Sequence, residues 1–287
     1  MKNLSLVSNS PAGFSDDEIF AVIEKSLSDR RDSLKKILIL PPDITRFHSG
    51  AGIITQYIYQ LLHDTCEIDI LPALGTHTPM TEDECSLMYG DIPYERFIAH
   101  NWRTDIVKLG EVPAEFVSEV SEGLVNEAFD VEVNKLIMDP SYDLILSIGQ
   151  VVPHEVVGMA NYSKNVFVGC GGSNMINSSH MLGAFYGLER LMGKDHSPVR
   201  KVFDYAESNF IKDLPLTYIL TVMAPYEDKQ GMYGIFIGRE RKYFEQAVEL
   251  SRQKNIIFTD EPYKKVVVYL DEQEFRSTWL GNKAVYR

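Results

Sequence analysis

The residues of this chain best suited to bond-making chemistry stand in loops that follow apolar runs. Asp43-Ile44-Thr45-Arg46 comes after KILIL and Pro41-Pro42, Gly75-Thr76-His77-Thr78 after CEIDILPAL, and Gly149-Gln150-Val151-Val152-Pro153-His154 after the run Leu144–Ile148. Arg46 offers a planar fork of donors that could grip a carboxylate bidentately, or pair with Asp43 and stiffen its own loop. Asp43 could accept from a ribose hydroxyl or cap a helix. Imidazole titrates near neutrality, so His77 and His154, approaching one substrate carbon from opposite sides, could take and return a proton. Each histidine alone would read as a structural hydrogen bond.

Downstream, His154, Lys164 and His180 are 10 and 16 residues apart, which fits no compact zinc motif, and His154-Glu155 lacks the second histidine of HExxH. Gly169, Gly171 and Gly172, with Ser173, could bring backbone N–H groups to a phosphate. GCGGS is neither GxxxxGK[ST] nor GxGxxG, and by composition it reads as a flexible turn before a helix. Lys164, taken alone, reads as a solvated lysine.

The elements that would position these groups alternate. A capping signal at Ser15-Asp16-Asp17 starts a helix toward Leu34, KILIL is a buried strand, and ITQYIYQLLHD is a helix. CEIDILPAL is another strand, and Thr81 caps the helix after it. PLTYILTVMAP and MYGIFIGRE form a strand pair around YEDKQG, with a helix following. The fold class is therefore α/β: a parallel or mostly parallel sheet with flanking helices over residues 1–257. In open sheets of this kind ligands sit beyond the carboxyl ends of the strands, so the three loops are expected to share a pocket. Residues 258–287, a strand KKVVVYL and a helix DEQEFRSTWLGNKAVYR, are expected to open a second α/β domain that the chain leaves unfinished, since one strand and one helix bury no core.

Composition narrows the function classes. A net charge of −13 and a pI near 5.0 disfavour nucleic acid as a partner, because phosphate binding runs on clustered Lys and Arg. No apolar stretch is long enough to predict a membrane span, and no apolar segment at the start reads as a secretory signal. Three irregularly spaced cysteines, Cys66, Cys85 and Cys170, point to a reducing compartment. A cytoplasmic protein is the expectation.

Taken together and in order, these motifs resemble the nickel-pincer-nucleotide-dependent lactate racemases and their relatives acting on other 2-hydroxy acids, from about Pro42 to Arg287. PPDITR is similar to the family's Asp-x-x-Arg loop, GTHTPM to its Gly-x-His loop, and PHEVVG to the segment with its second histidine. The resemblance implies that Asp43 touches the cofactor ribose, Arg46 holds the substrate carboxylate, and His77 and His154 are the acid and base. It further implies that Lys164 is joined covalently to the cofactor, His180 ligates nickel, and Lys283 polarises the substrate. Gly171 and Gly172 would approach the nucleotide phosphate. The implied reaction removes the hydroxyl proton while the C2 hydride passes to the cofactor, giving a transient 2-oxo acid. The implied partners are a small 2-hydroxy acid and the enzymes that make the cofactor. The family's glycine pair before the lysine is here Asn161-Tyr162, a proline after the arginine is replaced by Phe47-His48, and an expected glutamine falls near Leu280. These departures bear on the substrate, lactate or a larger sugar acid.

Two other classes stay open. One is a non-catalytic nucleotide-binding module built on GCGGS. The other is a metal-dependent lyase or hydrolase ligating through His77, His154 and His180, which requires all three imidazoles within about 3–4 Å of one point. No GxSxG elbow supports a serine hydrolase.

Overall fold

Short strands that are apolar on both faces need cover on both faces, and this chain supplies it. The computed structural model describes residues 1–261 and 263–269. In chain order, β1 (Leu4–Val7) leads into α1 (Asp16–Leu27), β2 (Lys36–Leu40), α2 (Ala51–Leu62), β3 (Glu67–Ile70) and α3 (Glu82–Tyr89). A hairpin of β4 (Ile106–Val112) and β5 (Phe129–Asn134) carries α4 (Ala114–Val120) in its connection, and β6 (Leu144–Gln150) follows. The two-residue strands β7 (Pro153–His154) and β8 (Gly158–Met159) precede a π-helical turn over Asn165–Gly169. Then come α5 (Ser173–Tyr186), α6 (Leu188–Leu191), α7 (Pro198–Ala206), the long strands β9 (Leu216–Tyr226) and β10 (Lys229–Gly238), and α8 (Arg241–Asn255).

Six strands make the main sheet in the order β1-β10-β9-β6-β2-β3. Pairing is parallel from β3 through β2 and β6 to β9, and antiparallel from β9 to β10 and β1. Alternation sorts the side chains. Ile37 and Ile39 join α1, α2 and α3 in one core, while Leu38 and Leu40 join α5, α7, α8 and the β4–β5 hairpin in the other. Capping boxes at Ser15–Glu18 and Thr81–Glu84 begin α1 and α3 where the sequence places them. The expected mostly parallel α/β sheet is observed. Strand β1 and the β4–β5 hairpin lie outside the sequence reading, and α1 stops at Leu27 instead of reaching Leu34.

The strand expected over KKVVVYL does not form within the described residues. Val266, Val267 and Tyr269 are exposed and pair with no strand there. An apolar run becomes a strand only when a neighbour accepts its backbone groups, and none of the described residues does. The expected terminal helix, with Lys283, lies outside the described residues. Among the described residues no helix is long and apolar enough to cross a membrane.

Behind the sheet, Glu207 follows α7 in a buried setting. Desolvation pushes its carboxyl up to about 7, against the opposing pull of Arg239. The folded state thus favours the protonated form. This stabilisation is fully present below the ordinary carboxylate range and is lost as pH rises through about 7. Glu207→Gln should therefore raise the thermal midpoint at pH 8 relative to the parent protein, with the difference closing toward pH 4.5. Unfolding followed by circular dichroism at both pH values checks this, and an equal shift at both would show that charge is not the cause.

Candidate active site

Strands β3, β2 and β6 are neighbours and parallel, so their carboxyl ends lie side by side. The loops that leave them line one cleft of about 530 Å³, together with the π-helical turn and the first half of α5. Asp43, Arg46, His77, His154, Lys164 and His180 all line it. Backbone bonds fix the loops to one another: Ala73 N–H donates to the Pro41 carbonyl, and Gly75 N–H to that of Gly169. Gly75 has φ +56, a left-handed conformation that suits glycine at this contact.

Asp43 joins two of these loops. Its Oδ1 accepts from the backbone N–H (3.2 Å) and hydroxyl (2.5 Å) of Thr45, capping the short helical turn that carries Arg46. Its Oδ2 lies 2.5 Å from His77 Nδ1. Burial works to raise the Asp43 carboxyl, but the His77 hydrogen bond and charge, with Thr45 and Arg46 behind them, hold it below its ordinary value. Asp43 is thus an anion that can only accept, so His77 Nδ1 carries the proton and its Nε2 the lone pair. Arg46 makes no ion pair with Asp43 among the described residues; its Nη1 donates to the Thr45 carbonyl at 3.1 Å. The cleft therefore holds a guanidinium whose carboxylate-binding fork is not occupied by Asp43.

The same reasoning fixes the other imidazoles. His154 is buried, and its Nδ1 lies 3.1 Å from the Val156 backbone N–H, which can only donate. Neutral His154 therefore carries its proton on Nε2. His180 Nδ1 lies 2.6 Å from the Ile176 carbonyl, which can only accept, so its Nε2 carries the lone pair. A ring N–H held by a backbone carbonyl is the usual outer-shell arrangement of a metal-ligating histidine. The two catalytic candidates are thus unlike at rest: His77 has the form of a proton acceptor and His154 that of a donor.

Lys164 follows an unusual backbone. Asn161 and Tyr162 have φ +64 and +58, each a conformation that costs a residue with a Cβ about 1–3 kcal/mol. These are the positions where the sequence departs from a glycine pair. Asn161 Oδ1 accepts from Tyr162 N–H, and the Tyr162 ring packs between Tyr218 and Phe244 with its hydroxyl on the Arg239 carbonyl. On the other side of Lys164, Asn165 donates through Nδ2 to the Leu40 carbonyl and to Ser147 Oγ, both at 2.9 Å, tying the π-helical turn to the end of β2 and the middle of β6.

One expectation fails. Gly171 and Gly172 do not line the cleft. Gly171 bridges to Val133 and its carbonyl accepts from His100 Nε2 at 3.0 Å, while a Cβ on it would collide with the Phe167 carbonyl. Gly172 faces Glu132, whose Oε2 accepts from Asn174 N–H in the first turn of α5. A carboxylate of the protein already sits where a phosphate would have to bind. These two glycines permit close packing, and of the three glycines in the GCGGS segment only Gly169 lines the cleft. Asn165 was missed because buried amides leave no periodic signal. His77, His154 and His180 do not form a common ligand set: among the described residues the only such trio is Asp195, His196 and Glu245. Arg241 bonds both His196 Nδ1 and Glu245 Oε1, so a cation of the protein already occupies that cluster.

With this geometry established, comparison places the chain. The family model described as lactate racemase N-terminal domain matches residues 17–190, and the chain belongs to that family. A crystal structure of a protein from Thermotoga maritima is 26% identical with a TM-score of 0.80; the match covers 90% of this chain and 63% of that one. The lactate racemase apoprotein from Thermoanaerobacterium thermosaccharolyticum shares the fold at 20% identity and a TM-score of 0.62, covering 83% of this chain and 55% of that one. The chain thus spans less than two thirds of the length of either structure. No curated protein matches it.

Two outcomes follow from the site. Long-range ¹⁵N–¹H spectra of histidine-labelled protein should show His77 and His180 protonated at Nδ1 and His154 at Nε2, with Asp43→Asn disturbing His77 alone of the three. Gly171→Ala should destabilise the fold by about 2 kcal/mol or more, through overpacking against Phe167, as read from urea unfolding.

Proposed function

We propose that this chain is the cofactor-bearing part of an isomerase that racemises or epimerises 2-hydroxy acids with a nickel-pincer nucleotide joined to Lys164. The observation that carries the proposal is the shared cleft: a guanidinium, an aspartate-held imidazole, a second imidazole of opposite tautomer, a lysine and a ligand-type histidine line one cavity. The residues fit the group. Lys164 supplies the amine for attachment, and His180 a nitrogen donor suited to nickel. When bound, the nucleotide supplies the hydride-accepting centre, which no side chain of this protein can.

The chain's own residues do the rest. Arg46 binds the substrate carboxylate and fixes its orientation. His77 takes the hydroxyl proton at Nε2, and the Asp43 carboxylate stabilises the imidazolium that results. His154 donates a hydrogen bond from Nε2 to a substrate oxygen without losing its proton, and return of the hydride and of the His77 proton after the 2-oxo intermediate has turned its other face gives the opposite isomer. Thr76, Gln150 and Asn161 add hydrogen-bonding groups to the lining, which suits an acid with hydroxyls beyond C2, such as a sugar acid, as well as lactate. The phosphate contact expected at Gly171-Gly172 is lost to the nucleotide-module reading and to this one alike, so the convergence of the other groups carries the choice, and the three-histidine lyase lacks its ligand set.

Co-expression with the cofactor-making enzymes, followed by intact-protein mass spectrometry and metal analysis, tests the reading. A nickel-containing adduct is expected on the parent chain and none on Lys164→Ala; bound zinc without an adduct would overturn it. His77→Ala should keep the adduct and lose about 10²–10⁴-fold of the interconversion rate, measured by optical rotation on lactate, malate and aldonates.

A further inference from the structure

Arg200 is the largest fully buried side chain among the described residues, at 0% exposure, and it does not line the cleft. It projects from the first turn of α7, whose N-cap Ser197 accepts from its backbone N–H at 3.0 Å. Its fork reaches a single short segment. Nη2 donates to the Met159 carbonyl at 2.7 Å and to the Asn161 carbonyl at 3.0 Å, and Nη1 to Ser163 Oγ at 2.8 Å. The guanidinium also packs over the Phe244 ring, 4.6 Å from its centroid.

Those three acceptors bracket Asn161 and Tyr162 and end one residue before Lys164. Two consecutive left-handed residues turn the Asn161 peptide away from any regular ladder, and Met159 is the last residue of the two-residue strand β8, so these two carbonyls take another donor. A buried guanidinium is expensive to desolvate and persists where several acceptors converge on it. Here the acceptors are one carbonyl within the strained pair and a carbonyl and a hydroxyl on either side of it. With Asn165 anchored to β2 and β6, the backbone at Lys164 is gripped on both sides.

We propose that Arg200 is a positioning residue for Lys164, clamping the left-handed pair Asn161-Tyr162 so that the lysine is presented to the cleft. The assignment of Lys164 as the attachment point rests on the function proposed above; the clamp itself does not.

The experiment compares the full chain with Arg200→Met, which retains bulk and loses the fork. Hydrogen exchange is followed by mass spectrometry, and adduct yield is measured after co-expression with the cofactor-making enzymes. Amides of residues 159–165 should exchange at least tenfold faster in the variant, while those of β2 and β6 stay within twofold. Adduct on Lys164 should fall at least tenfold. Adding Asn161→Gly, which adopts positive φ without strain, should restore at least threefold of that loss, a rescue that a general loss of stability would not allow. If Arg200→Met does not fold, Ser163→Ala removes one contact of the fork and should still speed exchange over 159–165 at least threefold. Unchanged exchange, acceleration spread evenly over the sheet, or failure of the glycine to rescue would overturn the proposal. A parent chain without adduct would refute the attachment role while leaving the exchange result to judge the clamp.

Discussion

Parallel pairing of β2 with β3 on one side and β6 on the other brings three strand ends to the same edge of the sheet. Every group in the cleft depends on that constraint. A parallel strand needs a crossover before it, so each of these ends is free to carry a polar loop, while the apolar helices of the crossovers seal the faces. Asp43 leaves one end, His77 the next and His154 the third, and none could meet the others on an antiparallel meander of the same length.

The rim is polar and mobile in principle, so the protein fixes it with hydrogen bonds and buried charge. Asn165 holds the π-helical turn against two strands, and Arg200 holds the backbone before it from the opposite side. Behind them, the buried Glu207 and the partly buried Asp204 lie near Arg200, Arg239 and Arg241, and desolvation raises both carboxyls against the pull of these arginines. This layer of charges backs the 159–165 segment directly, through Arg200 and through the Ser163 hydroxyl on Asp204.

Much of the sheet was legible in the sequence because its signals are local. KILIL and Leu144–Ile148 are short apolar runs bounded by turn residues, and the capping boxes at Ser15 and Thr81 need only three neighbouring positions. The loops could be named from the strands they follow. The partners inside the site could not. The sequence left Arg46 and Asp43 as possible ion partners, but Asp43 is taken by Thr45 and His77, thirty-four positions away. The tautomers of His77 and His154 depend on a carboxylate and a backbone N–H that no spacing rule identifies. Gly171 and Gly172 look in sequence like a phosphate loop, and only the placement of β5 beneath them shows that they serve packing. KKVVVYL reads as a strand by composition, but composition does not supply a partner.

Asp43 has one oxygen on the turn that bears Arg46 and the other on His77. Under the function proposed above, grip and basicity share a single hinge, and evolution cannot tune them one at a time at this position. A lineage drifting toward a new acid would have to change the shape of the cleft from its far wall, through the residues around Gln150 and Asn161, and leave this carboxylate alone.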